Sequence, residues 1–132
     1  MLKRPRPTDA ELAILRVLWT SVPITVRGAH GAMAILRSVA YTTTLKTLQV
    51  MTDKGLTVRE DVRGQHIYKP RDAEDETLRG LVVDLLDRAF GGSTSKLVIQ
   101  ALASQRATPD ELSEIRRLVG APDTRDKEDD RD

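Results

Sequence analysis

The chain has no cysteine, which excludes a disulfide framework and any thiolate metal site. Aromatic residues make up only 3% of it, with one Trp, one Phe and two Tyr. A core must therefore be built from Leu, Ile, Val, Ala and Met, a palette that favours packed helices. Histidine is nearly absent too: His30 and His66 are the only two, and they stand too far apart for a ligand pair. Neither a bound metal nor another cofactor is expected. No apolar run approaches the roughly 18 residues of a membrane span, which argues against membrane insertion. The basic start, MLKRPRPTDAE, has no apolar stretch ahead of a cleavage site, so a signal peptide is not expected. A cytoplasmic protein is the simplest reading. The signatures of catalysis are missing as well: there is no H-E-x-x-H, no G-x-S-x-G and no phosphate-cradling glycine loop. Asp84 and Asp87 share a helix face, but carboxylates beside an apolar stripe read as solvated surface. No enzyme is expected.

What is present describes a soluble globular chain of 132 residues, 39% apolar and 31% charged, long enough for one domain or two small lobes. Its net charge of +1 conceals an asymmetry. Residues 1–70 hold 11 Lys and Arg against 5 Asp and Glu, whereas residues 71–132 hold 10 against 15. A basic first half joined to an acidic second half suggests two lobes, of which only the first suits a polyanion.

Thr8 and Glu11 form a T-x-x-E capping box, followed by Leu12, Leu15, Leu18 and Trp19 on one face of a helix over about 9–20. Ser21-Val22-Pro23 breaks it. Ile24-Thr25-Val26 reads as a single β-bridge, with Thr25 placed to cap a second helix that presents Val26, Ala29, Met33 and Leu36. Gly28 and Gly31 weaken that helix by roughly 1 kcal/mol each, which predicts close packing against a neighbour. After the connector Arg37-Ser38-Val39, a third helix over about 42–54 ends at Gly55. Then LTVREDVRGQHIYKP offers two β-branched and aromatic segments split by Arg63-Gly64, a hairpin with a tight turn, in which His66 is expected to pack beside Tyr68. Helix, short strand, two helices and a hairpin is the order of a winged helix-turn-helix, whose third helix enters the major groove.

That third helix, VAYTTTLKTLQVMTDKGL, has an unusual composition. Leu45, Leu48, Met51 and Thr52 share one face; Thr43, Lys46, Thr47 and Val50 share the opposite one. Threonine is a mediocre helix former, yet Thr42, Thr43 and Thr44 open the helix. Short side chains let a backbone approach DNA closely: the hydroxyl can bond a phosphate or a base edge, and the methyl can meet a thymine methyl. The helix N-terminus adds N–H donors and partial positive charge. Thr42, Thr43, Lys46, Thr47 and Val50 are thus the expected groove-facing residues, joined by Arg59 and Arg63 of the wing, with Lys69 nearby. The plain alternative for Thr42 is an N-cap, with Thr43 and Thr44 as filler.

From Arg71 the pattern is purely helical. Leu78, Leu81, Val82, Leu85, Leu86 and Ala89 stripe a helix over about 73–90. Leu97, Val98, Ala101 and Leu102 stripe a second over about 94–104. A third begins at the capping box Thr108-Pro109-Asp110-Glu111 and carries Leu112, Ile115, Leu118 and Val119. Fewer than about 50 residues bury too little surface to stand comfortably alone, and Val83 and Phe90 widen the stripes. A homodimer is expected through Leu78, Leu81, Val82, Leu85, Leu86, Val98, Leu102, Ile115 and Leu118; packing back on the first lobe is the alternative. The expected organisation is a DNA-binding domain over 1–70, a helical dimerisation domain over 71–120 and a disordered charged tail over 121–132. The fold class is mainly α with a small β-hairpin: a winged helix-turn-helix domain followed by a three-helix dimerisation domain.

TDAELAILRVLW, ITVRGAH, AYTTTLKTLQVMTDKGL and RGQHIYKP, in that order, resemble the successive signatures of the penicillinase-repressor family. The likeness runs from residue 8 to about 119. It implies a homodimeric winged-helix repressor on an inverted-repeat operator of double-stranded DNA. It also implies, as partner, a membrane sensor metalloprotease whose antibiotic signal leads to cleavage in the dimerisation domain. Thr42 and Thr43 match the family's DNA-facing helix entrance. Lys46 stands where threonine is usual and Val50 where arginine is common, so operator preference is expected to differ. The turn reads Arg63-Gly64 in place of Gly-Arg, which moves the wing cation by one position. The cleavable Asn-Phe pair of the family aligns with Gln100-Ala101. A copper-responsive branch needs cysteines this chain lacks. Two other readings compete: a winged helix serving as a protein-interaction adaptor, and a metal sensor using His30 and His66 with carboxylates.

Overall fold

The computed structural model describes residues 6–20, 24–36 and 39–120, without the side chains of Ile35 and Leu36. The expectations for Ser21-Val22-Pro23, Arg37-Ser38, the Leu36 side chain and the 121–132 tail lie outside the described residues. The elements run α1 (Asp9–Thr20), β1 (Ile24–Thr25), α2 (Val26–Leu36), α3 (Tyr41–Lys54), β2 (Thr57–Val62), β3 (Gln65–Pro70), α4 (Glu74–Ala89), α5 (Thr94–Ala103) and α6 (Pro109–Gly120). The chain is mainly helical with one small sheet, a winged helix-turn-helix followed by helices.

Local chemistry sets most of these boundaries. The α1 capping box closes both ways: Glu11 N–H donates to Thr8 Oγ1 at 3.2 Å, and Thr8 N–H donates to Glu11 Oε1 at 2.9 Å. Thr25 caps α2 by accepting the Gly28 N–H at 3.1 Å. Gly28 does sit in a close approach, since a Cβ there would lie 2.7 Å from Ile24 Cγ1. Gly31 does not: nothing lies within 4 Å of its would-be Cβ, so the expectation of close packing fails there. Gly55 ends α3 at φ 85°, and its N–H turns back to Met51 and Thr52 carbonyls. At the hairpin tip Arg63 (φ 52°) and Gly64 (φ 79°) are both left-handed, the two-residue turn whose twist suits antiparallel strands.

The expected bridge and hairpin merge into one antiparallel sheet of order β1-β3-β2. β1 pairs with the far edge of β3 in the register Ile24↔Tyr68 and Thr25↔Ile67. Tyr68 thereby has strands on both sides and is buried. Around it lie Ile14, Leu15, Val17 and Leu18 of α1, Val26, Ala29 and Met33 of α2, Leu48 and Met51 of α3, and Leu56. Each such aliphatic side chain stabilises the fold by roughly 1.5–3 kcal/mol when fully buried.

The chain divides into two compact units, Met1–Asp84 and Leu85–Asp132. The expected stripes along α4–α6 exist, but no residue of these three helices is buried. Leu78, Val82, Val83, Leu85, Val98, Ile99, Leu102, Leu118 and Val119 are all exposed, while Leu81, Leu86 and Ile115 are half-buried. The helices are nonetheless well capped. Ser93 accepts the Lys96 N–H at 3.2 Å, and the second capping box closes through Thr108 and Glu111 at 3.0 and 3.1 Å.

Candidate nucleic-acid interface

α3 presents two chemically distinct faces. Inward, Thr44, Leu48 and Met51 are buried, and Leu45 packs against the core. Outward, Thr42, Thr43, Lys46 and Val50 are exposed and Thr47 is half-buried. Thr44 is therefore neither filler nor a groove residue: its hydroxyl faces His30 Nδ1 of α2 at 3.4 Å. Nor is Thr42 a cap. The N-cap is Ala40, which offers no side-chain acceptor, so the α3 N-terminus keeps unbonded N–H donors for an outside acceptor. Thr47 Oγ1 donates to the Thr43 carbonyl at 2.8 Å, which leaves its oxygen able to accept.

Two further features complete this surface. Thr42, Thr43, Lys46, Thr47 and Val50 line one shallow groove, and its other wall is Thr8, Ala10 and Glu11 from the first turn of α1. Sequence spacing could not bring α1 here. Tyr41, at the head of α3, is 43% exposed while its ring meets that of His30 edge-on, with centroids 5.6 Å apart. An exposed tyrosine is notable in so aromatic-poor a chain, and that scarcity was the available signal.

Glu11 fixes the pitch of α3. Its carboxylate, almost fully buried, accepts Lys54 Nζ from the far end of α3 at 2.7 Å. Burial opposes its ionisation, but the bonds from Lys54 and from Thr8 outweigh that and hold the carboxyl below its ordinary pKa. A depressed carboxyl pKa stabilises the fold fully above the unfolded value of roughly 4.3, and the contribution disappears as pH falls through the native value. Glu11→Gln is expected to cost about 1.5–3 kcal/mol at pH 7, the range for hydrogen bonds to a charged group. The gap from the parent should close in acid. Denaturant titrations at pH 7 and pH 3 check this; a gap that persists unchanged at pH 3 refutes the ionic account.

The wing carries four basic side chains, three of them with acidic neighbours. Lys69 pairs with Glu60 at 2.5 Å. Arg59 Nε lies 4.0 Å from Asp61, and His66 Nδ1 bonds the same carboxylate across the hairpin. His66, expected beside Tyr68, is instead exposed and turned to Asp61. Arg63 stands at the tip with no ion pair among the described residues, the wing cation best placed for a phosphate. The two histidines lie on separate elements, and no cluster of three His, Asp or Glu able to hold a metal occurs among the described residues. No helix among them is long and apolar enough to cross a membrane.

Comparison with known proteins agrees with this geometry. The family model described as penicillinase repressor matches residues 7–121. The chain is 33% identical over 120 residues to the transcriptional regulator BlaI of Mycobacterium tuberculosis, in strain H37Rv and in strain CDC 1551, covering 90% of this chain and 86% of the relative. It is 23% identical over 134 residues to a penicillinase repressor of Bacillus licheniformis, covering 97% of this chain and all of that protein.

Proposed function

Because the chain belongs to the penicillinase-repressor family, a family of transcriptional repressors and not of enzymes, we propose that it is a homodimeric repressor. It reads an inverted-repeat DNA operator through α3 and the wing. The observation that carries this reading is the division of α3: a buried face that holds it on the core, and an exposed face of small hydroxyls with the cation Lys46 beside an N-terminus that has no side-chain cap. Residues 1–70 serve as the DNA-binding domain and residues 71–120 as the dimerisation domain. Twofold symmetry in the protein then matches twofold symmetry in the operator. Derepression proceeds by a cut in α5 near Gln100-Ala101, made by a partner protease.

The roles of two cations separate in one experiment. Lys46, about one turn into α3, reads a base edge; Lys46→Ala relaxes discrimination by about 1–3 kcal/mol at one position of each half-site. Arg63 contacts phosphate; Arg63→Ala weakens every duplex alike and lowers the salt slope by about 1 per subunit. Competition binding on operator variants and on random duplex across a salt series measures both. Equal losses on operator and random DNA for Lys46→Ala would remove it from the base-reading set. A salt slope near zero for the parent protein would overturn DNA binding altogether and leave a protein-interaction adaptor.

A further inference from the structure

A chain of polar contacts leaves the recognition helix and reaches α4. At the C-terminal end of α3, Lys54 Nζ donates to Glu11 Oε1 at 2.7 Å and to the Arg6 carbonyl at 3.4 Å. Arg6 Nη2 in turn donates to Asp84 Oδ1 at 2.7 Å. The short strap between them is stiff: Pro7 fixes its own φ and restricts Arg6, and Thr8 is locked in the capping box. Arg6 and Asp84 are 78 residues apart in sequence and both lie in the first compact unit, of which Asp84 is the last residue.

The position of Asp84 along α4 gives the contact its meaning. One turn earlier stands Gly80, and nothing lies within 4 Å of the Cβ it lacks, so no packing demand explains a glycine there. Glycine inside a helix is the residue that most readily gives way short of proline. Gly80 is thus a soft point in α4, and Asp84 is held just beyond it. Resting on the dimeric, operator-reading function above, we propose that Arg6 and Asp84 are positioning residues that set the half-site spacing the repressor accepts. They fasten α4 past its soft point to the strap that also grips the end of α3. The part of α4 that ends at Asp84 is thereby tied to the strap that holds the end of α3. Half-site separation is a geometric property of the dimer, and both copies of the contact act on it together.

The magnitude follows from exposure. Arg6 and Asp84 side chains are 53% and 28% exposed, and one such pair shifts an equilibrium by at most about fivefold. Two copies therefore bias spacing by at most about twenty-fivefold, and the bias fades with salt. The test uses the full chain and duplexes whose two half-sites are moved apart or together by one and two base pairs, with a single half-site duplex as control. Arg6→Ala and Asp84→Asn are expected each to flatten the spacing preference by about fivefold or more. Affinity for the single half-site and the dimer mass should stay unchanged, which a merely structural defect would not allow. The exchanged pair, Arg6→Asp with Asp84→Arg, is expected to restore the preference. A spacing preference that survives both single substitutions overturns the inference, as does an exchanged pair that fails to restore it. If the parent protein binds as a monomer with no spacing preference, the dimeric reading falls first and this one with it.

Discussion

A chain ending at Pro70 is expected to be a folded monomer that binds the operator about 10²–10⁴-fold more weakly than the full chain. The folded part of that statement rests on where the core lies: among the described residues, every buried one falls between Glu11 and Tyr68, so the truncation removes none of them. The monomeric part rests on the opposite condition in α4–α6. There Leu78, Val82, Leu85, Val98, Leu102 and Leu118 are between 38% and 59% exposed, far more apolar surface than three well-capped helices leave open without a partner. Covering it with a second copy offers roughly 1.5–3 kcal/mol for each side chain that becomes fully buried. The loss of affinity follows from effective concentration, because a linked second reader finds its half-site as an intramolecular event. Sedimentation of both chains at micromolar concentration and competition binding on one operator duplex make the measurement. A truncated chain that remains dimeric, or a full chain that sediments as a monomer, reassigns the interface.

Features local in sequence were legible and those built across distance were not. Both capping boxes, Thr8 with Glu11 and Thr108 with Glu111, need only four consecutive residues, and both close as expected. The α3 stop and the hairpin turn are likewise settled by single glycines that tolerate positive φ, Gly55 and Gly64. The outward set Thr43, Lys46, Thr47 and Val50 follows from helical periodicity, because the apolar side of α3 has to face inward, while Thr42 follows from its place at the helix entrance. By contrast, the pairing of β1 with β3 joins residues more than 40 positions apart, and two residues of β1 carry no periodic signal. Glu11 was visible as a capping residue but not as the anchor of Lys54. That second role depends on how α1 and α3 pack.

The same limit explains the errors. The plain alternative makes Thr44 filler at the helix entrance, whereas the α2–α3 contact buries it against His30. His66 was assigned to Tyr68 by proximity in sequence, but the cross-strand register sets Asp61 directly opposite, and a carboxylate is the stronger partner for an imidazole at the surface. The division of the structure after Asp84 falls inside α4, where no sequence signal is expected. A helix shows no break in periodicity where its surroundings change.

Cutting the chain between Gln100 and Ala101 is expected to lower operator binding to the level of the Pro70 truncation. α5 is only 10 residues long, already below the roughly 12–15 at which an isolated helix is marginal. It therefore persists only through what packs on it. The cut leaves Val98 on one fragment and Leu102 on the other, and it removes the covalent support of the Ser104 N–H bond to the Gln100 carbonyl at 3.1 Å. Neither fragment keeps a stripe wide enough to hold two copies together, so the half-site readers separate. Access is the remaining condition. A protease needs an extended segment, so α5 must open locally before it is cut. Gln100 and Ala101 are exposed, and α5 is flanked by the paired glycines at 91–92 and the left-handed Gln105, all of which favours local opening of α5. Treating the DNA-bound protein with the proposed partner protease and inducer, then weighing the fragments and following release from a labelled operator, decides the matter. Fragments that remain dimeric and bound would refute this route. Release of an uncut chain by a small molecule would replace proteolysis with a ligand-driven switch.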